Sequence, residues 1–67
     1  MANKVSNNIR KIRQKKGISQ DRLSKEVDLE LNTIVKIETG ESLNPTVETL
    51  EKIAKALDVS VADLFKD

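Results

Sequence analysis

The side chains able to do chemistry in this chain are amides, hydroxyls and charges, because it contains neither His nor Cys. That excludes disulfides, thiolate nucleophiles, imidazole general bases and the Cys/His ligand sets of zinc fingers. Phe65 is the lone aromatic, too little for a platform that stacks single-stranded bases. The charges are the informative part. Twelve Lys and Arg nearly balance eleven Asp and Glu, for a net +1, yet position separates them. Residues 1–25 hold Lys4, Arg10, Lys11, Arg13, Lys15, Lys16, Arg22 and Lys25 against Asp21 alone, a net +7. Residues 26–67 hold four cations and ten anions, a net −6. Such a division suits a body with one face for a polyanion and another kept away from it, the alternative being ordinary solvated helix faces.

The elements that must position these groups read as helices. No stretch alternates with period two, so strands are not expected. Val5, Ile9 and Ile12 fall at i, i+4, i+7 on a first helix that Gly17 stops. Ser19 is an N-cap for a second, with Leu23 and Val27 as its apolar stripe and Asp28 at its end. A third should run from about Leu31 to Thr39, with Ile34 and Ile37 inward and Gly40 closing it. Pro45 ends the loop that follows. Thr46 caps a fourth helix carrying Val47, Leu50, Ile53, Ala54 and Leu57, stopped at Asp58. Ser60 to Asp63 is a capping-box pattern opening a short fifth helix, with Val61, Leu64 and Phe65 on one stripe. The expectation is an all-α compact bundle of five short helices, one domain over residues 1–67. A chain of this size buries only ~60% of its unfolded surface, so its helices must fit closely. The N-terminal residues show no apolar run, so neither a signal peptide nor a membrane span is expected, and the chain reads as cytoplasmic.

The segment ISQDRLSKEVDLELNTIVKIETG, Ile18 to Gly40, carries a more specific pattern. With Ser19, Gln20, Leu23, Ile34, Glu38, Gly40, Pro45 and the run Ile53-Ala-Lys-Ala-Leu57, it resembles the phage repressor and Cro family, the xenobiotic-response-element-like helix-turn-helix regulators. The resemblance runs from about Ile9 to Phe65, with the motif itself at about residues 19–39. It departs from the family at four places. Asp28 replaces the turn glycine, Ser24 a small alanine, Glu30 a Ser or Thr cap, and Leu31 a residue that is often polar.

The resemblance implies a lambda-repressor-like fold whose third helix enters the major groove while the second braces it across the phosphates. With Ile34 and Ile37 inward, a helical wheel turns Asn32, Lys36 and Thr39 outward together, Val35 at the edge and Leu31 flanking. Asn suits adenine, Lys a guanine edge or a phosphate, and Thr39 or Leu31 a thymine methyl. Ser19, Gln20 and Thr33 join them as implied DNA contacts, Gln20 on a phosphate, and Asn44 falls in the family's phosphate-contacting loop. The resemblance further implies a partly buried structural ion pair of Arg13 with Glu38.

These readings lead to a sequence-specific regulator of transcription, a repressor, that binds an inverted-repeat operator on double-stranded DNA as a homodimer and joins the nucleoid when bound. Val59, Val61, Leu64 and Phe65 are more apolar surface than the short C-terminal helix needs to dock, and Val61 and Phe65 are expected to face a twofold mate, with closure of the monomer's own core as the alternative for Leu64 and Phe65. An antitoxin-type or adaptor protein working through protein contacts is the competing function, kept open by Leu31, Val35, Leu43, Glu30 and Glu41. No enzyme, metal or cofactor is expected.

Overall fold

Four α-helices and a terminal 3-10 helix surround one apolar core in the computed structural model, which describes residues 3–41 and 45–67. The α-helices are α1 (Lys4–Lys15), α2 (Gln20–Glu26), α3 (Leu31–Thr39) and α4 (Val47–Ala56), and the 3-10 helix spans Val61–Phe65. No strand occurs among the described residues.

Local chemistry sets where each helix starts. The side chains of Asn3, Ser19, Thr46 and Ser60 accept hydrogen bonds from the backbone N–H three residues on, those of Ser6, Arg22, Thr49 and Asp63. Each satisfies a donor that the first helical turn leaves unpaired. At α3 the cap residue is Glu30, and its side chain makes no such bond.

The ends follow one device used three times. After α1, Ile18 N–H bonds Arg13 C=O at 3.1 Å while Gly17 N–H bonds Gln14 C=O at 3.0 Å. The same pair of bonds joins Leu29 to Ser24 and Asp28 to Lys25 after α2, then Val59 to Ala54 and Asp58 to Lys55 after α4. This closure demands a left-handed residue. Gly17 meets it freely at φ 70°, whereas Asp28 and Asp58 adopt φ 58° against the steric preference of an L residue. The apolar residue after each stop, Ile18, Leu29 or Val59, folds back onto the core.

Ile9, Leu23, Ile34, Ile53, Leu57 and Leu64 form the fully buried centre. Around it α1 packs on α3 and the 3-10 helix, α2 packs on α3, and α4 closes against the 3-10 helix and α2. Ser24, where a small alanine was the family norm, fits this contact at 3% exposure because its hydroxyl donates to Asp21 C=O at 2.6 Å.

Two expectations need correction. The short fifth helix is of the 3-10 type, closed by an Asp63 N–H to Ser60 C=O bond at 3.0 Å. Its three-residue turn aligns Val61 with Leu64 and rotates Phe65 away, so the three do not share a stripe. Leu64 is fully buried and Phe65 is 52% exposed. Val47, expected on the inward stripe of α4, is 69% exposed. It is the first residue of that helix and lies at the edge of its apolar arc, where the core no longer covers it.

Candidate nucleic-acid interface

Three elements meet at one carboxylate. Glu38, near the end of α3 and 2% exposed, receives Arg13 Nε at 2.6 Å on Oε2 and Arg13 Nη2 at 3.0 Å on Oε1. Arg13 Nη1 donates to Ile18 C=O at 2.8 Å, pinning the turn after α1. Gln20, the first residue of α2, donates Nε2–H to the same Glu38 Oε1 at 3.1 Å. The planar guanidinium fork fits a carboxylate bidentately, and the third donor fills a remaining lone pair. Among the described residues no buried side-chain N or O lacks a partner. The relation of α1, α2 and α3 is therefore set by polar bonds of fixed direction as well as by apolar packing.

That network holds the outward face of α3 beside the start of α2. Leu31 is 43% exposed, Asn32, Lys36 and Thr39 are exposed, and Thr33 and Val35 are half-buried. No hydrogen bond or ion pair engages the Asn32 or Lys36 side chain among the described residues. Thr39 spends its proton on Lys36 C=O at 3.2 Å, leaving its methyl and lone pairs outward. Ser19 Oγ accepts from Arg22 N–H at 3.0 Å and keeps its own proton to donate. Gln20 is half-buried with one N–H committed to Glu38, which leaves its carbonyl and second N–H for another partner. Asn44 lies outside the described residues, as does Leu43.

Residues 9–64 match the family described as helix-turn-helix. The chain belongs to the helix-turn-helix family of DNA-binding transcriptional regulators. An HTH-type transcriptional regulator of Archaeoglobus fulgidus is 39% identical over 57 residues, covering 85% of this chain and 80% of that protein. Among solved structures, the chain is similar to SinR of Bacillus subtilis, the master regulator for biofilm formation, in complex with DNA. That similarity has a TM-score of 0.86 at 31% identity and covers 92% of this chain and 98% of the chain in that structure. It is also similar to C.AhdI, the restriction-modification controller protein from Aeromonas hydrophila, with a TM-score of 0.88, 31% identity and 92% of each chain covered.

In this helix-turn-helix the charge asymmetry is narrower than the sequence count. Of the eight cations before residue 26, Arg13 is neutralised in the core by Glu38. Arg22 pairs with Glu26 at 3.3 Å, Lys25 with Asp21 at 3.1 Å, and Lys4 with Asp67. Arg10, Lys11, Lys15 and Lys16 remain outside any ion pair among the described residues, with Arg10 Nη2 donating to Asn7 Oδ1 at 2.9 Å. Among the described residues, the unpaired positive charge of the first 25 positions is thus confined to α1 and its C-terminal turn.

The long-range bonds of two side chains have no signal in the sequence. Glu38, the partner of Gln20, lies 18 residues away, and no local pattern announces the bond. Asn8 on α1 donates Nδ2–H to Leu64 C=O at 2.9 Å and to Lys66 C=O at 2.7 Å, across more than 50 residues. Both are long-range bonds, legible only once the helices are packed.

Proposed function

We propose that this helix-turn-helix chain binds double-stranded DNA sequence-specifically, with α3 in the major groove, as a twofold dimer on an inverted-repeat operator, and that it represses transcription. The observation that carries the reading is the outward face of α3. It presents an exposed amide and an exposed ammonium, both without a partner among the described residues, on a helix held from behind by the bonds of Glu38. Asn32 reads a base edge, and Lys36 reaches a guanine or a phosphate. Thr39 and Leu31 meet thymine methyls, and Thr33 stands at the margin of the same face. Ser19 and Gln20 contact the phosphate backbone from the start of α2, and Asn44 does so from the loop after α3.

The dimer follows from the charge account. With four of the eight N-terminal cations already paired, one copy offers few phosphate contacts, whereas two linked copies add theirs. Their recognition helices would meet successive major grooves ~34 Å apart. A dimer seated on its operator represses by occlusion, with residues 1–67 acting as one DNA-binding domain. No helix among the described residues is long and apolar enough to cross a membrane, and the proposed place of action is the cytoplasm, on the nucleoid when bound.

Exposed Leu31 and Val47 favour the second reading, a protein-binding adaptor. Selection of bound sites from random duplex DNA, followed by a salt titration of the selected duplex, separates the two. The DNA reading expects an inverted repeat and a steep loss of affinity with salt. Recovery of no consensus, with a flat salt response, would overturn it in favour of the adaptor.

A further inference from the structure

Asn8 ties α1 to the C-terminal turn by two hydrogen bonds. The core is closed beneath it by Leu64, which is fully buried. The Asn8 amide spends both of its N–H groups on the carbonyls of Leu64 and Lys66, the two residues that flank Phe65. Because both partners are carbonyl oxygens, only the amide nitrogen can face them, and the orientation is fixed by chemistry. The residue between the two anchored carbonyls is thereby held outward, and Phe65 stands 52% exposed at that point.

The surroundings of Phe65 match a second copy of this chain. Lys66 pairs with Asp63 at 2.7 Å, and Lys4 with Asp67, so charges of both signs lie within two residues of Phe65 along the chain. An apolar centre with charges of both signs nearby is self-complementary across a twofold axis, where each cation can find the mate's anion. Asn8 also lies on α1 only five residues, about 7.5 Å of helix rise, before Arg13, the residue that grips α3 through Glu38. One helix therefore carries the bonds to the C-terminal turn near one end and to the recognition helix near the other.

We infer that Asn8 is a positioning residue that fixes how the C-terminal turn presents Phe65 to a second copy, and through α1 sets the geometry between the two recognition helices. The inference rests on the dimer proposed above. Asn8→Asp is nearly isosteric, removes both donors and sets a carboxylate against two carbonyl oxygens. Three quantities are read on the full chain: self-association by sedimentation, affinity for a duplex holding a single half-site, and preference for the selected operator over the same duplex with one base pair inserted between half-sites. Asn8→Asp is expected to weaken self-association about tenfold and to flatten the spacing preference, since both hydrogen bonds are lost. Single half-site binding should stay within about twofold of wild type, because the α3 face is untouched. If circular dichroism shows Asn8→Asp to be unfolded, Asn8→Ala removes the donors without adding charge and is read in the same three ways.

Phe65→Glu separates the inference from the reading it rests on. Loss of the dimer in Phe65→Glu, with the Asn8 variants keeping wild-type association and spacing preference, overturns the role of Asn8 alone. A Phe65→Glu protein that still dimerises like wild type overturns the dimer surface and the role of Asn8 with it.

Discussion

Lys36 and Glu38 stand two residues apart on α3 and are put to opposite uses. Glu38 faces inward and receives three hydrogen bonds, two from Arg13 and one from Gln20. Lys36 faces outward and makes none with its ammonium among the described residues. A helix turns about 200° over two residues, so one step in pattern carries a charge from the core to the solvent. The buried charge is worth stability, because an unmatched ion in the interior is costly. The exposed charge is worth binding, because it stays uncommitted until a partner arrives. The C-terminal pair of Asp63 and Lys66 is a third case, bonded but solvated, and solvent leaves such pairs little net effect.

The largest effect should come from breaking the buried pair on one side. Arg13→Met or Glu38→Leu alone is expected to destabilise the fold by ~3 kcal/mol, since each strands a charge in the core. The double variant Arg13→Met/Glu38→Leu should regain much of that loss. Chemical denaturation of all three is the check, and single variants as stable as wild type would remove the contrast between the two faces.

Next comes the outward face, where binding should change and stability should not. Asn32→Ala is expected to lose ~1–3 kcal/mol on the selected operator and little on random duplex. Fluorescence anisotropy on both duplexes measures this, and equal losses on both would turn Asn32 from a base reader into a general contact.

Lys36→Ala sharpens the same division. If its ammonium holds a phosphate, affinity should fall on every sequence alike and the salt dependence should drop by about one unit of slope. A loss confined to the selected operator would instead assign Lys36 to a guanine edge.

The smallest effect belongs to the solvated pair. The hydrogen bond from Lys66, followed by those from Ser60, lowers the Asp63 carboxyl from 3.8 to about 2. A carboxyl depressed by folding stabilises the protein above its unfolded value, and that contribution is lost as pH falls through the folded one. Melting temperatures should therefore separate wild type from Asp63→Asn slightly near pH 5, with the gap closing between pH 4 and 2. A gap that persists at pH 2 would show that the carboxylate charge is not its source.

Much of this molecule was written in short-range patterns. Caps and stops act over three to five residues, so Ser19, Thr46, Ser60, Gly17 and Gly40 marked helix ends that the structure reproduces. The inward and outward sides of α3 followed from Ile34 and Ile37 alone, because helical periodicity converts two apolar positions into a face. The family pattern added the pairing of Arg13 with Glu38, which no local rule supplies. Tertiary structure decided the rest. Val47 has Leu50 at i+3 and Ala54 at i+7 and still lies in solvent, because a stripe cannot say where the core ends. Phe65 and Leu64 were alike in sequence and were separated by the tight 3-10 turn, in a segment too short for periodicity to choose its helix type. Gln20 read only as a phosphate contact and Asn8 carried no role in the sequence, and only packing brought their amides to Glu38 and to the carbonyls of Leu64 and Lys66. The division has one physical cause. Backbone satisfaction at helix ends is a local problem that nearby side chains solve, whereas the partner of a distant amide depends on where every helix comes to rest.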